Sequence, residues 1–175
     1  MKAEDASNWP VGVHERLAAA GVRMVAYVPD AGVARLIELC QGDETMTCVP
    51  LTTEEEGVAL AAGAWLGGRR IVLLMQSSGV GNCLNMLSLV ETCRLPLLML
   101  IAMRGEWGEF NPWQVPMGRA AEPALELAGA TVHRVDHARA VTETVEAAAR
   151  LAFSSRRPVA VLLSQRLVGV KRFEE

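Results

Sequence analysis

Aromatic side chains make up only 5% of the sequence, and its four cysteines, Cys40, Cys48, Cys83 and Cys93, form no CxxC pair and have no histidine at zinc-finger spacing. The first scarcity leaves aliphatic side chains to fill any core. The second excludes a structural metal and makes buried, reduced thiols the expected state of the cysteines. No lysine or arginine cluster is large enough for a nucleic-acid footprint, and with a net charge of -3 and a pI near 5.7 the chain is not expected to bind RNA or DNA. The start, MKAEDASNWP, lacks the charged-then-apolar pattern of a signal peptide, and the longest apolar run, LPLLMLIAM, is too short to span a bilayer. A cytoplasmic protein with no membrane partner is expected.

What is present is aliphatic. The 175 residues are 51% hydrophobic and 21% charged, which suits a single globular domain over residues 1–175. Runs rich in valine, isoleucine and leucine recur at 22–28, 46–49, 71–75, 95–103, 130–135 and 158–163, with segments of helical character between them. Continuous rather than alternating apolar runs fit strands covered on both faces, so the expected class is α/β, doubly wound, with a six-stranded, mainly parallel sheet between layers of helices. Asn8 or Ser7 is placed to cap a first helix ending at Gly21, and a later helix is expected over 137–153. The longest stretch read as irregular is residues 104–119, RGEWGEFNPWQVPMGR. Loops of that length in compact domains tend to be functional.

Ligands of open parallel sheets sit beyond the carboxyl ends of the strands. That rule selects PDAG (29–32), TTEEE (52–56), QSSGVGN (76–82) and the RGEWGEF loop. Thr53 and Glu56 have the spacing of a capping box, and three acids in a first turn favour the helix dipole. Glu54 has a second reading, because Val58, Ala61, Ala62 and Trp65 follow it along one helical face. Its carboxyl then stands at the end of an apolar stripe, and desolvation favours the protonated form of an acid. The small residues Ala59, Ala61, Ala62, Gly63 and Ala64 leave room for another backbone to approach.

QSSGVGN follows a strand and opens a helix, an arrangement whose amides suit an anion. A dinucleotide fingerprint would need glycine or alanine at Leu84, and a nucleophile elbow around Ser77 would need glycine at Met75, so neither motif is complete. Arg104 suits a carboxylate, sulfonate or phosphonate, or else pairs at the surface with Glu106.

Together these segments resemble the pyrimidine-binding (PYR) domain of thiamine-diphosphate-dependent 2-oxoacid decarboxylases over about residues 8–168. The most specific element is Glu54, nine residues ahead of Gly63 in EEEGVALAAGAWLGG. TTEEEGVALAAGAWLGGRR, MQSSGVGNCLNMLSL and LPLLMLIAMRGE resemble successive blocks of sulfopyruvate decarboxylase alpha subunits, and phosphonopyruvate decarboxylases share the YVPDAG-type segment, the SGxGN turn and the RGE. The resemblance implies a thiamine-diphosphate-binding fold of PYR type. It also implies that catalytic Glu54 hydrogen-bonds N1′ of the cofactor's aminopyrimidine, with Glu55 as the fallback. Gln76, Ser78, Gly79 and Asn82 would line the cofactor site, and Asp30, Ser77 and Arg104 would be weaker contributors at the substrate.

The GDG segment and paired asparagines of the family's pyrophosphate-binding (PP) domain are absent; Gly42, Asp43 and Glu44 read GDE. Mg2+ and the diphosphate are therefore expected on a separate PP-domain beta subunit, in an α2β2 or larger assembly, with no metal held here. The implied reaction is decarboxylation of a small anionic 2-oxoacid, sulfopyruvate to sulfoacetaldehyde and CO2. The alternatives are a phosphonopyruvate decarboxylase half and a noncatalytic, regulatory PYR-like subunit.

Overall fold

Each of the six apolar runs folds as a strand, within two residues of its expected ends. The computed structural model describes residues 8–170. Strands β1 (Val22–Tyr27), β2 (Thr47–Pro50), β3 (Arg70–Gln76), β4 (Leu97–Ala102), β5 (Thr131–Val135) and β6 (Pro158–Leu163) form one sheet in the order β2-β1-β3-β4-β6-β5. Every pairing is parallel. The class is α/β, doubly wound. No helix among the described residues is long and apolar enough to cross a membrane.

Because side chains alternate across a strand, each central strand feeds two cores. Val72, Leu74, Leu98 and Leu100 pack with α1 (Trp9–Ala19), α2 (Ala34–Gln41) and α6 (Ala138–Ser155). Leu73, Met75, Met99 and Ile101 pack with α3 (Glu54–Leu66), α4 (Val80–Cys93) and α5 (Val115–Leu127). A short α7 (Gln165–Val168) follows β6. The strand order reverses between β1 and β3, since the chain leaves β1 toward β2 and β3 toward β4. That reversal opens a crevice at the carboxyl ends of β1 and β3, the place where open α/β sheets bind ligands.

Local signals account for most helix ends. Pro10 stands in the first turn of α1, where a missing amide costs nothing, and Asn8 precedes it without a side-chain cap bond. Ser7, the other expected cap, lies outside the described residues. α6 runs one residue later at its start and two at its end than expected. The stretch read as a loop through residue 119 is shorter than expected, because Pro112–Gln114 form a 3-10 turn and Val115 opens α5. Two prolines and a glycine disguised that helix, yet proline in a first turn is compatible with it. The cysteines are all free; Cys40 and Cys83 are buried as expected, whereas Cys48 is half-buried and Cys93 exposed.

The alanine-rich α3 lies tightly on β3 at one point. A Cβ on Gly57 would overlap the Leu73 side chain, whereas Gly63 has open space around it. The close approach expected at the Ala59–Gly63 stretch is therefore made a turn and a half earlier. Gly57→Ala is expected to destabilise the fold by about 1–3 kcal/mol through overpacking. Gly63→Ala is expected to stabilise it by about 0.5–1 kcal/mol through helix propensity. Chemical denaturation of the two variants checks both signs.

Candidate active site

Glu54 is the first residue of α3, and the extended Thr53 before it turns the chain from β2 into the helix. The capping box forms with a shifted register. Glu56 accepts from the amide of Thr52 at 2.9 Å, and the Thr53 hydroxyl makes no cap bond. Glu56 points to solvent and Glu55 is half-buried, but Glu54 is 8% exposed. Val58, Ala61 and Ala62 behind it are buried, so the apolar stripe exists.

The Glu54 carboxyl rests on Gly79, the residue preceding α4. Any Cβ at position 79 would overlap the carboxyl. Asn82 Nδ2, in the first turn of α4, donates to Glu54 Oε2 at 2.8 Å. The amino end of α4 thus faces an anion supplied by the chain itself, which its dipole favours. Cys83 next to it is no nucleophile: burial first, then the charges of Glu54 and Glu55, push its thiol up to about 12.

Across the crevice, the ends of β1 and β3 are tied together. Asp30 Oδ1 accepts from the Gly32 amide and Oδ2 from Gln76 Nε2, both at 2.8 Å, and Ser78 Oγ donates to Gln76 Oε1 at 2.8 Å. The carboxamide of Gln76 is held at both ends, so its orientation is fixed. Asp30 follows β1 and Gln76, Ser78, Gly79 and Asn82 follow β3, whereas Glu54 follows the edge strand β2 and reaches them through Gly79 and Asn82.

Ser77 and Arg104 do something else. Ser77 is fully buried and its hydroxyl accepts from the Arg104 amide at 3.0 Å, which pins the loop after β4 to the turn after β3. Arg104 does not pair with Glu106. It is 4% exposed, and its Nε and Nη2 each donate to Glu109 at 2.9 Å. Glu109 also accepts from the amides of Gly105 and Asn111 and from Gln165 Nε2. Gln165 Oε1 in turn accepts from the amides of Glu106 and Trp107. Glu106 pairs with Arg134, which also binds Glu122.

The loop is therefore rigid, closed on a buried ion pair, while Trp107, Phe110 and Trp113 remain exposed on it. Its join to α5 is backbone against backbone. A Cβ on Gly105 would overlap the Gln114 carbonyl, and one on Gly118 the Arg104 carbonyl. Neither Glu109 nor Gln165 was singled out from the sequence. The only signal was the acid repeated inside the glycine-flanked RGEWGEF.

No protein-family model matches the chain. Its fold is shared with a chain of 2-oxoglutarate:ferredoxin oxidoreductase from Magnetococcus marinus at a TM-score of 0.73, covering 93% of this chain and 29% of that one at 18% identity. Sequence similarity is more specific. The chain is 34% identical over 157 residues to the sulfopyruvate decarboxylase subunit alpha of Methanococcus maripaludis, covering 89% of this chain and 94% of the relative. With the corresponding subunit of Methanocaldococcus jannaschii it is 31% identical over 153 residues, 87% of this chain and 90% of the relative. A phosphonopyruvate decarboxylase of Streptomyces viridochromogenes is 34% identical over 158 residues, 89% of this chain but 40% of the longer relative. The chain belongs to the family of sulfopyruvate decarboxylase alpha subunits.

Two outcomes follow from the geometry. Gly79→Ala is expected to cost about 1–3 kcal/mol by displacing the Glu54 carboxyl. Adding Glu54→Ala should recover most of that loss, a non-additivity that a double-mutant cycle measures.

The second concerns Glu109, whose carboxyl is held down from an ordinary 4.5 to about 2, by Arg104 above all and then by the amides of Asn111 and Gly105 and by Gln165. A lowered acid stabilises fully above its unfolded value and loses that contribution as pH falls through the folded one. The loop should therefore hold above about pH 4.5 and release on acidification toward about pH 2, read as a Trp107 emission change. Glu109→Gln should remove this transition and lower stability at neutral pH by about 3–5 kcal/mol, since Arg104 is left buried and unpaired.

Proposed function

We propose that the chain is the PYR half of a two-chain, thiamine-diphosphate-dependent decarboxylase acting on sulfopyruvate. One observation carries this reading. Glu54 is nearly buried beside the turn after β3, yet among the described residues its carboxyl accepts one side-chain hydrogen bond, from Asn82. A buried carboxylate of purely structural purpose is matched by several donors, as Glu109 is. Asn82 engages only Oε2 of Glu54, so Oε1 is left for a nitrogen of the aminopyrimidine, and the missing side chain of Gly79 gives the carboxyl room; the neighbouring Glu55 Oε2 is a buried oxygen without a hydrogen-bond partner among the described residues.

Thiamine diphosphate, when bound, supplies an acidic carbon that adds to the 2-oxo group and accepts the electron pair freed as CO2 leaves. Glu54 shares a proton with N1′ of the pyrimidine, and Asn82 fixes which way the carboxyl faces. Gln76 and Ser78, clamped by Asp30, form the wall of the site at the end of β3. Ser77 and Arg104 act by holding the loop that borders it. The diphosphate and Mg2+ belong to a second, PP-domain subunit, a reading supported by relatives named as alpha subunits.

Sulfopyruvate is preferred to phosphonopyruvate because the sulfopyruvate relatives match this chain over nearly their whole length. The test is to isolate the native complex, identify its second chain, assay bound thiamine diphosphate and measure CO2 release from sulfopyruvate and from phosphonopyruvate. Glu54→Gln should lower turnover by about 10²–10⁴-fold with the complex intact. A variant with normal turnover would sink the assignment of Glu54, and a complex without the cofactor would leave the chain a regulatory subunit.

A further inference from the structure

We infer that Asp30 sets the hydrogen-bonding polarity of the wall formed by Gln76 and Ser78, so that Ser78 Oγ acts as an acceptor alone and receives the exocyclic amino group of the aminopyrimidine. Asp30 is on this account a positioning residue, acting on the ligand through Gln76. The inference deepens the proposed reading that this chain holds the pyrimidine of thiamine diphosphate, and it rests on that reading.

The polarity follows from the direction of one carboxamide. Asp30 Oδ1 accepts from the Gly32 amide at 2.8 Å, which fixes the carboxyl just after β1. Its other oxygen, Oδ2, accepts from Gln76 Nε2 at 2.8 Å. A carboxylate has no proton to donate, so the nitrogen end of the Gln76 carboxamide has to face it and the oxygen end has to face away. Oε1 then accepts from Ser78 Oγ, again at 2.8 Å. A hydroxyl has one proton, and that of Ser78 is engaged by Gln76, so what it offers to the crevice is lone pairs. Gln76 and Ser78 are half-buried while Ser77 between them is fully buried, which leaves the two polar side chains on the open side of the turn. The second proton of Gln76 Nε2 stays at the far end of the string, beside Asp30. The wall thus has a donor end toward β1 and an acceptor end at the turn after β3.

The two ends suit different ligands. Ser78 is followed by Gly79, on which the Glu54 carboxyl rests, so the acceptor end adjoins the residue proposed to meet N1′. The exocyclic group of the aminopyrimidine that carries protons is its 4′-amino group, and an acceptor-only hydroxyl matches it. A sulfonate or carboxylate oxygen set against the same hydroxyl would leave two acceptors face to face, each deprived of the water it gave up. Those oxygens are served by the donor end at Gln76. A single atom reverses the string. In Asp30→Asn the Gly32 amide still needs an acceptor, so Oδ1 stays and Nδ2 takes the place of Oδ2. The Gln76 carboxamide then turns over to meet that donor, its nitrogen donates to Ser78 Oγ, and the Ser78 proton is released toward the crevice. The number of hydrogen bonds is kept and only their direction changes.

The experiment measures binding, by calorimetric titration with Mg2+ present, to the complex of this chain with its second subunit after removal of cofactor. The probes are thiamine diphosphate and oxythiamine diphosphate, which carries a 4′-oxo group in place of the 4′-amino group. Glu54 is unchanged in every variant, so its contribution cancels in any change of the ratio of the two Kd values. Asp30→Asn should shift that ratio about tenfold in favour of the oxo compound, the scale of one hydrogen bond to a buried partner. In a Gln76→Ala background the same substitution should shift it no further, because the string is already cut. Ser78→Ala should weaken thiamine diphosphate about tenfold and leave the oxo compound bound no less tightly. An unchanged ratio in Asp30→Asn, an equal shift without Gln76, or an equal loss of both compounds in Ser78→Ala overturns the inference. A complex that binds neither compound refutes the proposed function itself, so the two failures are read from different outcomes.

Discussion

A buried carboxylate has to be answered by hydrogen-bond donors, and this chain answers its two deepest glutamates to very different degrees. Glu109 receives the fork of Arg104, two main-chain amides and the Gln165 carboxamide. Glu54 receives Asn82 alone among the described residues, and Gly79 only leaves it room. One lies after β2 and the other after β4, at the same end of the sheet, and the turn after β3 links them: Ser77, two residues before Gly79, accepts from the Arg104 amide.

The sheet makes this contrast affordable. Its central strands are buried on both faces by two separate aliphatic cores, which hold the sheet independently of the side chains at its carboxyl ends. Reversal of the strand order at β1 and β3 keeps Asp30 and Gln76 within hydrogen-bond distance although they are 46 residues apart in sequence. The later doubling back, which inserts β6 between β4 and β5, brings Gln165 to the RGEWGEF loop in the same way.

These distances in sequence also mark what could be read in advance. The strands were legible because a continuous apolar run needs no partner to be recognised, and the burial of Glu54 because its stripe of Val58, Ala61 and Ala62 lies on its own helix. Asp30, Gln76 and Ser78 were each placed at the site, but not the bond order that joins them. Arg104 was expected either to meet an anionic substrate or to pair with its neighbour Glu106, whereas its buried partner is Glu109, which reaches Nε, Nη2 and the Gly105 amide together. Gln165 was invisible, since a glutamine after a final strand carries no local pattern. The start of α5 was hidden by its own prolines and by Gly118, a glycine that serves packing rather than a turn.

Three of the tight glycine contacts, at Gly57, Gly105 and Gly118, differ in what lies opposite, and that difference fixes which lesions a genome could repair. Opposite Gly57 is the side chain of Leu73, which a second mutation could shorten. Opposite Gly105 and Gly118 are the main-chain atoms of Gln114 and Arg104, which no codon change can trim. In a selection for intragenic suppressors, losses at position 57 should therefore be recoverable at a second site. Losses at 105 and 118 should yield only true revertants, because what those residues contribute is empty space beside a backbone.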